Sequence, residues 1–288
     1  MTTTTIQATQ TNTSSNFADV PSAPPEAHQK AAGVDFNELL NKALTEPGLI
    51  SRAYSRFHRF SLSNQLLAAI QLEERGMPLA PIASYAHWQE LGRTVMKGEK
   101  ALALFMPLTV KAKKTEVEAE ETDAGKTFTR FAFKRHWFSL DQTEGEIYAE
   151  PLVIPAWDAG QALKRLNIEE KRFQMINGNV QGYALSRSIA VNPLAALPHK
   201  TRFHELAHVV LGHTEKTGCW DTASLSRHIE EAEAEGTAFV LCSLLGLPGL
   251  AESRGYIQSW LDGETLPEKS ARRIFSAAQS ILAAGKAD

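Results

Sequence analysis

Beyond residue 33 the apolar positions recur at helical spacing. Phe36, Leu39, Leu40, Ala43 and Leu44 fall on one stripe, which Pro47-Gly48 ends. A second stripe holds Leu62, Leu66, Leu67 and Ile70 and closes at Gly76, with Pro78 beyond. Tyr85, Trp88 and Leu91 predict a short third helix stopped by Gly92. From Ala101 the pattern changes: residues 101–110 are a short apolar run and residues 128–140 alternate with period two, which predicts two strands. Phe131, Phe133 and Trp137 fall on one face of the second strand, and Arg130, Lys134 and His136 on the other. Between them, residues 111–127 are charged without apolar pattern and read as a long solvated hairpin loop.

Punctuation near residues 150–155 marks a boundary. Past it the pattern predicts a helix over 159–166, a strand over 182–191 and a helix from Pro198 through Leu211, closed by Gly212. A further helix spans about 225–245, and two helical stretches follow near 251–261 and 267–284. Residues 1–32, rich in Thr, Ser, Gln, Ala and Pro and without period, predict a disordered tail. The expected fold class is α+β. A small helix and β-hairpin domain covers 33–150, and a mostly helical domain covers 151–288.

Composition narrows the class. The 288 residues are 43% hydrophobic, enough for a sizeable core, and carry a formal charge of −3. No run of about 18 apolar residues is present, which excludes an apolar membrane-spanning helix. Two cysteines, Cys219 and Cys242, are too few for a disulfide scaffold or an all-cysteine metal site. The first residues lack a basic cluster followed by an apolar segment, so a cytoplasmic location is expected. Charge is unevenly divided: residues 33–140 carry 15 Lys and Arg against 12 Asp and Glu, and residues 141–288 carry 14 against 19. Five of the acids in the first segment lie between 116 and 123, so its remaining surface is basic.

Candidate chemistry centres on His204-Glu205-Leu206-Ala207-His208. Residues four apart on a helix differ by about 40° in azimuth, so both imidazoles can reach one ion. Zinc accepts such nitrogens and takes a third protein ligand, leaving a position for water, with manganese as the alternative metal. Glu205 sits about 100° round the helix and, as in zinc peptidases with this motif, is the expected general base. A histidine at 214 would complete the metzincin spacing, but the residue is Thr214. His213 lies about 140° from His208 on a continuous helix. The third ligand is therefore sought in Glu230-Glu231-Ala232-Glu233-Ala234-Glu235-Gly236. Glu231 and Glu235 share one helical face, and Ala234, Gly236 and Ala238 let this helix approach its neighbour. Glu235 is the expected ligand, with Glu231 fixing a histidine tautomer; the reverse assignment stays open.

A second constellation interleaves cations and rings: Arg52, Tyr54, Arg56, Phe57, His58, Arg59 and Phe60, followed by Asn64 and Gln65. Trp88, Arg93, Lys97, Lys100, Arg135 and Trp137 extend it. Such a mixture suits single-stranded nucleic acid, where cations neutralise phosphates and rings stack on unpaired bases. The competing reading makes Tyr54, Phe57, Phe60, Trp88 and Trp137 core residues.

These motifs together resemble a known family. The run from Ala53 to Leu67, Trp88-Gln89-Glu90-Leu91-Gly92-Arg93 and Lys97-Gly98-Glu99-Lys100-Ala101 resemble the N-terminal domain of ArdC-type antirestriction proteins. The His204–His208 segment and the Glu231–Glu235 helix are similar to their zincin-like metallopeptidase domain. Glu233 and Gly236 depart from the apolar residues usual there. The resemblance implies a single-stranded-DNA-binding domain joined to a metallopeptidase-like domain. The implied role is protection of incoming mobile-element DNA from host restriction endonucleases. From another class, a soluble zinc metallopeptidase could cleave a regulatory protein recognised by its N-terminal domain. A third reading is a structural metal domain without turnover.

Overall fold

The computed structural model describes residues 34–111, 127–149, 153–175, 179–215, 227–251, 253, 255, 257 and 266–287. The predicted tail, the loop after residue 111 and most of the 251–261 stretch lie outside them.

Helix α1 (Phe36–Thr45) starts where the Asp35 carboxylate accepts from the amides of Asn37 and Glu38 at 2.8 and 3.2 Å. Phe36, Leu39, Leu40 and Ala43 of its apolar stripe are buried as the spacing predicts, and Leu44 is half-buried. Gly48 at φ 77° then turns the chain into α2 (Leu49–Phe57), so the cation–ring mixture of residues 52–57 is helical. Its buried face is Leu49, Ile50, Ala53, Tyr54 and Phe57, a helical pattern obscured by the arginines between them. Helix α3 (Leu62–Glu74), strand β1 (Ile82–Ser84), helix α4 (Tyr85–Glu90) and strand β2 (Arg93–Val95) follow.

Strands β3 (Leu102–Lys111) and β4 (Thr127–Ser139) pair antiparallel, and β1 joins β4 on the other side. Opposite Leu102 and Ala103 lie Trp137 and Arg135, so His136 is an inserted residue. That bulge shifts the alternation and moves Trp137 off the face of Phe131 and Phe133, where strict period two would have placed it. The free edge of β3 is covered by two amides of α3. Asn64 exchanges two hydrogen bonds with the Phe105 backbone at 2.8 Å each, and Gln71 does the same with Ala103 at 2.9 Å. Strand-like side-chain pairing of this kind protects an edge that would otherwise recruit another chain.

Strand β5 (Thr143–Gly145) pairs with β2, and α5 (Ala159–Leu166) follows. A third sheet has the order β6 (Glu169–Glu170), β8 (Ser188–Val191), β7 (Gly182–Leu185). The single strand expected over 182–191 is thus a hairpin, turned at Ser186 with φ 52°. Helices α6 (Pro198–Val210), α7 (Arg227–Leu244) and α8 (Glu268–Gly285) complete the described elements and match the predicted spans closely. The fold class is α+β.

One hydrophobic core runs through the described chain. Residues 232–244 of α7 are buried throughout. Phe36 of α1 stacks on Phe105 of β3 and tilts against Phe275 of α8. Gln279 of α8 accepts from the Leu62 amide at 2.8 Å, capping α3. Gly236 serves α8 rather than α6, since a Cβ there would meet Ile274 Cδ1 at 2.8 Å. Among the described residues no helix is long and apolar enough to cross a membrane.

Candidate metal centre

Pro198 occupies the first turn of α6, where its missing N–H leaves no bond unmade. Two turns on, His204 and His208 point the same way, with Nε2 atoms 3.1 Å apart. From α7, a carboxylate oxygen of Glu231 lies 3.4 Å from the first Nε2 and 3.7 Å from the second. These three ligand atoms all fall within 4.8 Å of one another.

The geometry exchanges the two glutamates relative to the expectation that Glu235 is the ligand. Glu235 lies behind His204, accepting from its Nδ1 at 3.1 Å, while Lys200 Nζ contacts its other oxygen at 2.7 Å. The physical reason is Lys200, one turn before His204. Its ammonium neutralises the buried Glu235 carboxylate, which then needs no cation to offset its desolvation. Glu231 and Glu235 do share one face, and the helix simply presents its earlier turn to both Nε2 atoms.

His213 also enters the site. Helix α6 ends at Val210, and Gly212 at φ 78° reverses the chain. The amides of Gly212 and His213 donate to the carbonyls of Val209 and His208 at 3.2 and 2.9 Å. This is the Schellman pattern, which brings the second residue past the cap back beside the third residue from the helix end. It places His213 Nδ1 3.0 Å from His208 Nδ1. His213 Nε2 lies 2.9 Å from the fully buried Glu233 carboxylate. Arg273 of α8 donates through Nε to both oxygens of Glu233, and through Nη2 to the Leu211 carbonyl at 2.7 Å. A continuous helix would carry His213 away from the site, and Gly212 is the sequence signal for the reversal.

Charge follows from this packing. Burial alone would lower the His204 pKa, but hydrogen bonds to Glu231 and Glu235 outweigh it and raise it to about 9. The neighbouring imidazoles, His204 foremost, hold Glu231 well below the usual carboxylate range. Burial would raise Glu235, yet bonds from His204 and Lys200 bring it to about 2. Glu233 is likewise lowered: burial opposes, while His213, Ser270 and Arg273 prevail. Glu205 is raised, chiefly by burial. A Cβ at Gly182 of β7 would meet Glu205 Oε1 at 2.9 Å, so only glycine lets that strand pass the carboxylate so closely. Two imidazole nitrogens converging on an ionised carboxylate, each ring tethered through its other nitrogen, are the donor set of a divalent cation with a coordination position to spare.

The candidate nucleic-acid residues divide. Tyr54, Phe57 and Trp88 are buried, and Trp88 Nε1 donates to the Phe138 carbonyl at 2.9 Å. Their faces are taken by packing and cannot stack on bases. Asn64 is the amide that pairs with β3. Arg52 is held by Glu46 and Glu73, each at 3.0 Å, and Arg93 by Thr143 and the Glu146 carbonyl. Arg59, Lys97, Lys100 and Arg135 are exposed, and Trp137 is half-buried. Arg56, which donates to the Leu79 carbonyl at 2.7 Å, borders a cleft of about 170 Å³ together with His58, Arg59, Phe60, His87 and Tyr148.

Residues 41–137 match a family model described as the N-terminal domain of anti-restriction factor ArdC. The match spans about a third of the chain, and bears out the ArdC-type resemblance read from the sequence. Two solved structures of the antirestriction ArdC protein from the R388 plasmid are similar to this chain. The metal-free form is 23% identical, covering 86% of this chain and 94% of that one, with a TM-score of 0.49. The Mn(II)-bound form is 22% identical, covering 86% and 93%, with a TM-score of 0.51, and shares the fold. No curated protein sequence matches significantly.

Proposed function

We propose, from the ArdC-type domain at residues 41–137, that this chain is an antirestriction protein of the cytoplasm. The N-terminal segment, residues 33–150, grips single-stranded DNA, and the segment 151–288 carries a metal-dependent peptidase-like site. DNA held single-stranded withholds from a restriction endonuclease the duplex it cuts. The contacts are then the exposed cations Arg59, Lys97, Lys100 and Arg135 with the cleft beside Arg56 and His58, rather than the buried rings.

The observation that carries the metal half is the convergence of His204 Nε2, His208 Nε2 and a Glu231 oxygen within 4.8 Å. These residues would hold a divalent ion, zinc or manganese. Bound there, the ion supplies a Lewis acid that acidifies water. Glu205, whose burial raises its pKa, would accept a proton from water at its carboxylate. Glu235 orients His204 through Nδ1.

A second reading, hydrolysis of a protein substrate, is favoured by Glu205 itself. The carboxylate is kept buried beside a glycine that a larger residue would crowd. One experiment addresses both. Gel shifts of the full chain on single strands should weaken steeply with salt, and duplex should bind less. Protection from restriction that survives Glu205→Gln with metal retained makes hydrolysis dispensable. Protection lost with DNA binding intact makes hydrolysis the function. No shift at low salt contradicts the DNA-binding reading.

A further inference from the structure

We propose that His213 and Glu233, backed by Arg273, are positioning residues that fix the tautomer of His208 so that its Nε2 lone pair faces the cation. The proposal rests on the reading that His204, His208 and Glu231 hold a divalent ion. Four groups form a chain from the interior to the site, and the shorter of the two contacts at His213 Nε2, 2.9 Å to Glu233 against 3.3 Å to Arg273 Nη2, sets the order of their protons.

Glu233 is fully buried, and Arg273 Nε donates to both of its oxygens at 3.2 and 3.0 Å. An ionised carboxylate can only accept, so the 2.9 Å contact to His213 Nε2 is a donation from that nitrogen. In a neutral imidazole the other nitrogen is then an acceptor. His213 Nδ1 therefore receives the proton of His208 Nδ1 across 3.0 Å. With its proton on Nδ1, His208 presents a bare Nε2 lone pair beside Glu231 and His204. The reverse tautomers would set the unprotonated His213 Nε2 against an ionised oxygen at 2.9 Å, with only the longer 3.3 Å contact from Arg273 Nη2 to serve it, and place a proton on His208 Nε2, where the cation binds.

The two histidines are thus oriented differently. His204 leans directly on Glu235, whereas His208 leans on a carboxylate through a second imidazole. The relay needs the reversal at Gly212 to bring His213 into reach, and it needs a glutamate at 233. A bland alternative makes Glu233 only the internal counter-ion of Arg273. The two differ in what His208 does when Glu233 is changed.

The test uses the full chain. Long-range ¹⁵N–¹H imidazole spectra of the metal-free protein report which nitrogen of each histidine is protonated, and calorimetric titration with MnCl₂ and ZnCl₂ reports affinity. Wild type should show His208 as the Nδ1–H form and His213 as the Nε2–H form. Glu233→Met removes the acceptor of the His213 Nε2 proton and leaves Arg273 Nη2, 3.3 Å away, to donate to that nitrogen, which reverses the relay. His208 should then shift to the Nε2–H form, and affinity should fall about tenfold or more. Should that variant fail to fold, His213→Phe keeps ring volume and leaves the Glu233–Arg273 pair intact, and the same loss of affinity is expected. Wild-type His208 in the Nε2–H form, or unchanged affinity in both variants, overturns the proposal. A wild type that binds neither ion overturns the metal reading itself and the relay with it.

Discussion

The α6–α7 helix pair and the region from α2 to β4 both drew attention through residue types suited to binding, yet they use those residues differently. Around α6 and α7 the candidate ligands converge: His204, His208 and Glu231 meet within 4.8 Å, the outward Nδ1 atoms of the two imidazoles are held by Glu235 and His213, and Lys200 holds Glu235 in turn. Between α2 and β4 most of the suggestive side chains disperse into structure. Tyr54, Phe57 and Trp88 fill the core, Asn64 closes a sheet edge, and Arg52 and Arg93 tie backbone and carboxylates together. Spacing on a helix specifies geometry, because residues at i and i+4 must face the same way. A mixture of rings and cations specifies nothing about direction, and desolvation draws the rings inward.

The largest expected effect breaks the comparison at Trp88. Removing this buried ring and its bond to Phe138 should lower stability by about 3–5 kcal/mol. Chemical denaturation checks this; a Trp88→Ala chain with normal stability but no DNA binding would restore the ring as a base contact.

Next is His204→Ala. An ion that binds only the folded state at about 100 times its Kd contributes about 2.7 kcal/mol, and this variant should lose that increment. Melting with and without chelator measures it, and a variant that still gains stability from MnCl₂ would separate the histidine from the metal.

A third prediction concerns pH in the metal-free chain. The folded pKa of His204 is about 9, above its ordinary 6.5, so its stabilisation is complete below 6.5 and is lost as pH rises toward 9. The folded pKa of Glu235 is about 2, below 4.5, so its stabilisation is present above 4.5 and is lost toward 2. Both contributions are therefore fully present between 4.5 and 6.5 and each is lost beyond its own end of that window, whereas saturating metal should flatten the alkaline limb. A metal-free Tm unchanged from pH 6.5 to 9 would contradict the pairing of His204 with its two carboxylates.

The smallest effect on the fold comes from Lys97→Ala with Lys100→Ala, both exposed. Stability should move by no more than about 0.5 kcal/mol per site. The salt dependence of single-strand binding should become shallower by about 0.7 per lost phosphate contact. An unchanged slope would move the DNA surface elsewhere.

How far the sequence could be read follows from the same contrast. The spans of α6, α7 and α8 and the pairing of His204 with His208 were legible because periodicity and terminators agree. The order of Glu231 and Glu235 was not, since it depends on Lys200 meeting α7 across a helix interface. His213 was legible in principle: Gly212 ends the helix, and the Schellman turn that follows carries the next residue back. The β7–β8 turn at Ser186-Arg187 lacks a glycine or asparagine, so nothing local split the expected strand. The insertion at His136 leaves no signature in the alternation, yet it decides which face carries Trp137.

The central claim is that two imidazoles of α6 and Glu231 of α7 grip one divalent ion. Calorimetric titration of MnCl₂ into the wild type, Glu231→Gln and Glu235→Gln tests it most directly. The account predicts one ion per wild-type chain, no measurable binding in Glu231→Gln, and binding weakened by about 10–100-fold in Glu235→Gln. Retained binding in Glu231→Gln together with its loss in Glu235→Gln would contradict it.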